Sequence, residues 1–310
     1  MGIKLRTAVP SDAPQIKHLV CLQYGEGNAD RTLYDAEALA EKMNRGIYRF
    51  FVAEEEGKLV GMVCRKRGED FGGSVEGCTL SVLPRYRGDR IGVSLMSAMK
   101  RDCVRSGIPA LYYQVLTLNE IVQRREYADG FVPCALILNR YRYDRTAVNL
   151  RHIPLPERRH HLLMVKAIRQ KKVYRLFFPK ILEDYIFGVY VELGVSVGGE
   201  VCGVKRGVVV HDYPSHDYAD FLGGLPQSLP GRESVNLWLN MYQKDCGEQY
   251  ERAVEAGFSF TGVEPLAGDG EYLILHRSPS APAAFSQSRT IREFDERKNF
   301  LRRCGNVSIY

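Results

Sequence analysis

No stretch of the 310-residue chain approaches the ~18 uninterrupted apolar residues that a membrane-spanning helix requires. The opening Met1-Gly2-Ile3-Lys4-Leu5-Arg6 likewise lacks the apolar run of a signal peptide, and Arg6 stands where a myristoylation signal wants Ser or Thr. A soluble, cytoplasmic protein is the expectation. Eight cysteines, at 21, 64, 78, 103, 134, 202, 246 and 304, are scattered singly with no C-x-x-C and no Cys/His ligand spacing, so they read as reduced, mostly core residues. The histidines are loose as well: His160 and His161 are adjacent, but His152, His211 and His216 stand apart, and no metal is predicted. Aromatic residues are not interleaved as in a single-strand binding platform, and neither a helix-turn-helix nor an RNA-binding signature is legible, so neither a membrane nor a nucleic acid is expected as partner.

What is present is a chain with 45% hydrophobic residues, long enough for two domains, since single cores stop growing near ~250 residues. The net charge of +6 is densest from Arg158 to Arg175, which reads as a solvated basic face, with cofactor phosphates accounting for part of the excess.

Along the chain, Ile3 to Ala8 alternates like a strand, and Ser11-Asp12-Ala13-Pro14 supplies an N-cap and first-turn proline for a helix. A second helix is expected over Leu33 to Arg45, closed by Gly46. The apolar runs Tyr48 to Ala53 and Leu59 to Cys64 flank a polar, glycine-containing turn and predict a hairpin. Val75 to Val82 is a further strand, Ile91 to Arg105 a helix, Leu111 to Leu116 a strand, Asn119 to Ala128 a short helix stopped at Gly130-Phe131, and Val132 to Leu138 a strand.

The segment Val82-Leu83-Pro84-Arg85-Tyr86-Arg87-Gly88-Asp89-Arg90-Ile91-Gly92 joins a strand to a helix through a glycine-bearing turn. Such a turn exposes unpaired backbone N–H groups beside the positive end of the helix dipole, which suits a pyrophosphate. The segment resembles the acyl-CoA signature V-x-P-x-Y-R-G-x-G-I-G of the GNAT superfamily, departing from it only at Arg90, where glycine is usual. The stretch from Asn119 to Phe131 is similar to the N-x-x-A-x-x-x-Y-x-x-x-G-F helix of that superfamily, with Glu126 in the usual tyrosine position and Tyr127 one residue late.

The resemblance implies an α/β (α+β) GNAT fold, a mixed sheet flanked by helices, and acyl transfer from acetyl-CoA or another acyl-CoA to a small-molecule or peptide amine. It implies that Val82, Leu83, Arg87, Gly88, Asp89, Arg90, Ile91, Gly92, Val93 and Asn119 bind the cosubstrate, with an N–H near Val82 or Leu83 facing the thioester oxygen. Glu76 is the candidate general base, placed by its even separation of six residues on the same strand face as Val82; the alternative is a solvated strand-end glutamate. Tyr127 has two readings, general acid for the departing thiolate or a packing ring. Tyr24 and Tyr34 fall where this superfamily covers its acceptor, and each could equally fill the core.

A proline-punctuated linker, Arg151 to Pro156, precedes a renewed strand-helix alternation. Strands are expected at Leu162 to Ile168, Val173 to Phe178, Val201 to Val210, Val235 to Leu239 and Phe258 to Val263, with helices at Pro179 to Glu192 and Gly247 to Ala256. The helix ending at Gly257-Phe258 repeats the Gly130-Phe131 pattern about 127 residues later. No second phosphate turn is present. The chain is thus expected to comprise a CoA-binding GNAT domain (1–150), a degenerate GNAT-like domain (151–277) without a CoA site, and a linker with a charged amphipathic helix (278–310) that is a candidate docking element for a protein partner. As a whole it resembles bacterial two-domain GNAT proteins, some fused to anti-sigma-factor-like kinase domains. Two further functions fit the same resemblance: a CoA-binding regulatory pseudoenzyme, and a transferase using aminoacyl-tRNA.

Overall fold

The computed structural model describes residues 2–28, 30–67, 73–117, 119–142, 158–169, 173–203, 208–213, 217–221, 234–268 and 270–277. The linker at 151–156, the C-terminal helix expected at 291–303, Cys304, His152 and His216 lie outside them. The described residues fall into two compact units, one reaching Leu111 and the other running from Tyr112 to Arg142 and from Arg158 onward. That division differs from a boundary at residue 150. Its physical basis is strand pairing: Val132 to Arg142 pairs antiparallel with Arg158 to Ala167, so strands from both sides of the linker share one sheet.

In the first unit, β1 (Lys4–Thr7), β2 (Tyr48–Glu55), β3 (Lys58–Arg67) and β4 (Val75–Val82) form an antiparallel series in chain order. The β2–β3 hairpin turns through Glu56 (φ +50°) and Gly57 (φ +77°), the paired left-handed residues of a tight hairpin turn. Helices α1 (Ala13–Tyr24) and α2 (Ala36–Asn44) are built on one face. Their Ile16, Leu19, Val20 and Leu39 form one core cluster with Phe50, Val52, Met62 and Cys64, the even-numbered residues of β2 and β3. Helix α3 (Ile91–Arg105) lies on the opposite face, where a Cβ on Gly61 would stand 3.3 Å from Leu95 and where Arg65 meets Asp102. With both faces covered, β2 and β3 read as near-continuous apolar runs rather than an alternation.

The first helix lacks the N-cap bond its sequence suggests. The Asp12 carboxylate is instead committed to Arg6, at 2.6 and 2.9 Å, and to the Val9 N–H, and Arg6 holds that carboxyl below its ordinary range. For α2 the cap is real, because Asp35 accepts from the N–H groups of Glu37 and Ala38.

The strand β5 (Ala110–Leu116) leads into the second unit, which holds α4 (Glu120–Ala128), β6 (Val132–Arg142), β7 (Arg158–Ala167), α5 (Glu183–Glu192), β8 (Val208–Tyr213), β9 (Asp217–Phe221), β10 (Ser234–Asn240), α6 (Cys246–Glu255), β11 (Ser259–Glu264) and β12 (Tyr272–Arg277). Its strands are ordered β5-β7-β6-β11-β12-β10-β8-β9. The strand expected at Val173 to Phe178 is reduced to an isolated bridge, Val173 to Val197; of the strand expected at Val201 to Val210, residues 204–207 lie outside the described residues, 201–203 are not in a strand, and Val208 to Val210 form the start of β8.

Candidate functional site

Helix α3 begins where the sequence places the phosphate turn. Pro84 to Tyr86 makes a single tight helical turn whose Tyr86 and Arg87 N–H groups return to Leu83 and Pro84. Gly88 then adopts φ +100° in open space, and Arg90, the N-cap residue of α3, sits at φ +59°. Glycine occupies that left-handed region without strain, whereas a side chain costs roughly 1 to 2 kcal/mol there. The sole departure from the signature is therefore also its strained residue.

No side chain caps α3, and its first backbone return is Ser94 N–H to Arg90 O at 3.0 Å. The amides of Ile91, Gly92 and Val93 precede that return, and no acidic residue stands in the first turn. A Cβ on Gly92 would lie 3.8 Å from Val82 and 4.0 Å from Leu80, so the bare glycine leaves room between the helix start and the end of β4. The backbone of the turn thus fits an anionic group. Arg87 is exposed but folded back: its Nε donates to Val82 O at 3.0 Å and its guanidinium reaches Gln23 on α1 at 3.5 Å. Asp89 and Val93 are exposed, and Ile91 is buried beneath the turn. Tyr86 anchors the segment by donating to Glu55, with the Arg85 guanidinium 4.5 Å above its ring.

The strand entering the turn carries a β-bulge that sequence reasoning missed. Met62 faces Ser81 and Cys64 faces Cys78, so Val63 alone opposes both Thr79 and Leu80, and Thr79 takes φ +55°. One inserted residue reverses the alternation, which overturns the expectation that Glu76 and Val82 share a face. Before the bulge, Glu76 and Cys78 lie opposite Lys66 and Cys64, on the α1–α2 face. After it, Val82 lies opposite Gly61 and turns to α3. A threonine at positive φ gives no sequence signal, because its branched side chain disfavours that region.

Backbone groups at the end of β4 divide in the same way. The Leu83 N–H is spent on Val60 O at 2.9 Å, and by alternation the Val82 N–H is directed to the other edge of β4. On the α1–α2 face, Lys66 beside Glu76 donates to Asp30 at 2.6 Å, and Tyr48 donates to the same carboxylate oxygen at 2.5 Å. Lys66 is half-buried, and the carboxylates of Asp30 and Glu76 hold its pKa above the ordinary lysine value against the cost of burial. Tyr24 and Tyr34 pack against the core cluster of this face. Burial pushes the Tyr24 phenol up, and the Tyr34 oxygen accepts the Asn28 N–H at 2.9 Å.

Asn119 and Tyr127 belong to the second unit. Asn119 is the N-cap of α4, its side chain accepting from Val122 N–H at 3.3 Å. On the same helix Glu126 is fully buried and paired with Arg125 at 2.5 Å, whereas Tyr127 is 44% exposed. The one-residue shift of the tyrosine thus places a carboxylate, not a phenol, on the inward side. Among the histidines described, His160 and His161 are buried, and burial pushes the His160 imidazole down to about 4. Among the described residues no three His, Cys, Asp or Glu side chains gather as metal ligands would.

Residues 13–125 match the profile of the acetyltransferase (GNAT) family. This stretch is a GNAT domain. Solved structures similar to the chain include an N-acetyltransferase from Staphylococcus aureus Mu50, 16% identical over 55% of this chain and 100% of that one, TM-score 0.45. Others are the ribosomal-protein-S18-alanine N-acetyltransferase from Escherichia coli, 15% identical over 55% of this chain and 96% of that one, TM-score 0.43, and the PaiA N-acetyltransferase from Thermoplasma acidophilum in complex with coenzyme A, 18% identical over 54% of this chain and 99% of that one, TM-score 0.38. No curated protein matches the sequence.

Proposed function

We propose that the GNAT domain binds the pyrophosphate of an acyl-CoA, acetyl-CoA in the first instance, at the start of α3 and that the protein transfers the acyl group to an amine. The observation that carries this reading is the uncapped first turn of α3, with its Ile91, Gly92 and Val93 amides behind an open Gly88 turn in a GNAT domain. When bound, the thioester supplies an activated acyl carbon. Arg87 braces the turn against the end of β4, and Arg90 adds positive charge beside it. The Val82 N–H, directed away from β3, polarises the acyl oxygen, since that of Leu83 is held by Val60. Glu76 removes the amine proton, directly or through water, from the α1–α2 face. Tyr24 and Tyr34 on that face bound the acceptor.

Calorimetry with CoA tests the assignment through Gly88→Glu, which adds a negative charge to the cradle. Like charges about 4 Å apart near a protein surface repel by roughly 1 to 4 kcal/mol, so affinity should fall at least about fivefold. Gly88→Ala carries the same backbone strain without the charge and should lose less. Equal affinity in the wild type and Gly88→Glu would remove the phosphate site from this turn.

A second reading, a CoA-binding regulatory protein without turnover, is favoured by one observation: α4 buries Glu126 and exposes Tyr127. Release of CoA thiol from acetyl-CoA in the presence of amines separates the two.

A further inference from the structure

The register of β3 and β4 sets Cys64 directly across from Cys78. Directly opposed residues of an antiparallel pair have Cα atoms roughly 4.5 to 5.5 Å apart, inside the range of about 4.4 to 6.8 Å that a disulfide spans. Both thiols are free. Cys64 is fully buried in the core cluster of the α1–α2 face, while Cys78 is only partly buried against it, so the two differ in their access to a soluble oxidant. Thr79, held at φ +55° by the bulge, follows Cys78 immediately. No other pair of registered strand partners in the described β-ladders consists of two cysteines.

We infer that Cys64 and Cys78 are an oxidative modification site, at which a hydroperoxide converts the facing thiols into a reversible cross-strand disulfide that ties β3 to β4 beside the bulge. The inference does not depend on the acyl-transfer reading. In the first step the Cys78 sulfur attacks the peroxide, the O–O bond breaks, the sulfur is oxidised to a sulfenic acid, and the alcohol or water leaves with the remaining oxygen. In the second, the Cys64 sulfur attacks the Cys78 sulfur, the S–O bond breaks, and the Cys64 proton leaves with the hydroxyl as water. Two thiols and one hydroperoxide thus give one disulfide, one alcohol and one water. The order of attack follows from access and acidity: burial pushes the Cys64 thiol well above its ordinary value, which suits it to resolve the sulfenic acid rather than meet the oxidant first.

Oxidation of the full chain with hydrogen peroxide, followed by non-reducing peptide mapping, tests the site. The expected product is a cross-linked pair of peptides containing Cys64 and Cys78, lighter by about 2 Da than the two thiol peptides together and separated again by dithiothreitol. The oxidised protein should also melt at a higher temperature than the reduced one, because the bond constrains the unfolded chain. Cys78→Ser should abolish the cross-link. Cys64→Ser should instead trap a sulfenic acid on Cys78, detectable with dimedone in protein that remains folded by circular dichroism. Conversion of Cys78 to sulfinic acid in the wild type while Cys64 stays a thiol would overturn the inference. So would a 2 Da loss that persists in Cys78→Ser, since it would place the disulfide elsewhere.

Discussion

At Arg90 the chain keeps a side chain where the backbone, at φ +59°, favours glycine. Two effects of opposite sign follow from that choice. Arg90→Gly should relieve roughly 1 kcal/mol of left-handed strain and raise the unfolding midpoint. It also removes one positive charge from the edge of the phosphate turn, so CoA affinity should fall by about two- to fivefold, most visibly at low salt. Denaturant titration and calorimetry on the same two proteins check both signs, and an unchanged salt dependence of CoA binding would assign Arg90 no part in phosphate recognition. Glu76 is a different case, because the bulge removes the face it was expected to share with Val82 and leaves it among the α1–α2 residues beside Lys66. If it serves there as the general base, Glu76→Gln should lower kcat by ~10² to ~10⁴-fold while CoA affinity stays near the wild-type value. The acidic limb of the pH-rate profile should disappear with it. Full turnover with the same limb would leave Glu76 a structural partner of Lys66.

Among the elements, α3 was legible, expected from about Ile91 to Arg105 and found there, because an apolar face of Leu95, Met96 and Met99 follows a turn with a known sequence signature. The β2–β3 hairpin was equally plain from its apolar runs and Gly57. The bulge in β4 was not, since its left-handed residue is Thr79 rather than glycine and nothing local announces it. Val173 to Phe178 failed as a strand for a related reason: an apolar run satisfies a strand pattern whether or not one neighbouring edge runs alongside it, and here the backbone bonds are divided between two segments, Val173 and Arg175 pairing with Gly198 and Glu200 and Phe177 with Met241. Also illegible was what fixes α3 from its far end. Asp102, on the last turns of the helix, accepts from Arg65 of β3 at 2.8 Å with both side chains buried, and it meets Arg49 of β2 at 3.1 Å. This pairing links the helix that presents the phosphate amides to the two central strands beneath it. Removing one partner of a buried pair leaves an uncompensated charge, so Asp102→Asn should cost about 3 kcal/mol, measured by urea unfolding. Replacing the pair together, Asp102→Leu with Arg65→Met, should recover most of that loss. A double variant as unstable as Asp102→Asn would show that the charges contribute more than their own neutralisation.

For the whole molecule, the question is how many CoA sites a chain of this length carries. Two helix ends of the second unit, those of α4 and α6, share local details. Gly130 and Gly257 both end a helix in the left-handed region, at φ +82° and +86°. Phe131 and Phe258 both return their N–H to the helix five residues back, and each ring is covered by a cation, Lys166 or Arg277, that also donates to the helix's last carbonyls. The expectation of a degenerate GNAT-like second half rests on such repeats, which do not extend to the phosphate site. Helix α5 opens with Glu183 and Asp184 in its first turn and α6 with Glu248, whereas α3 has no acid there. Carboxylates at a helix start already satisfy the positive end of the dipole and repel a second anion. Calorimetric titration of the full chain with CoA should therefore give one site per chain, weakened by Gly88→Glu with no second site of wild-type affinity remaining. A stoichiometry of two, or a residual site of comparable affinity in that variant, would show that the second half binds CoA through a surface other than a helix start.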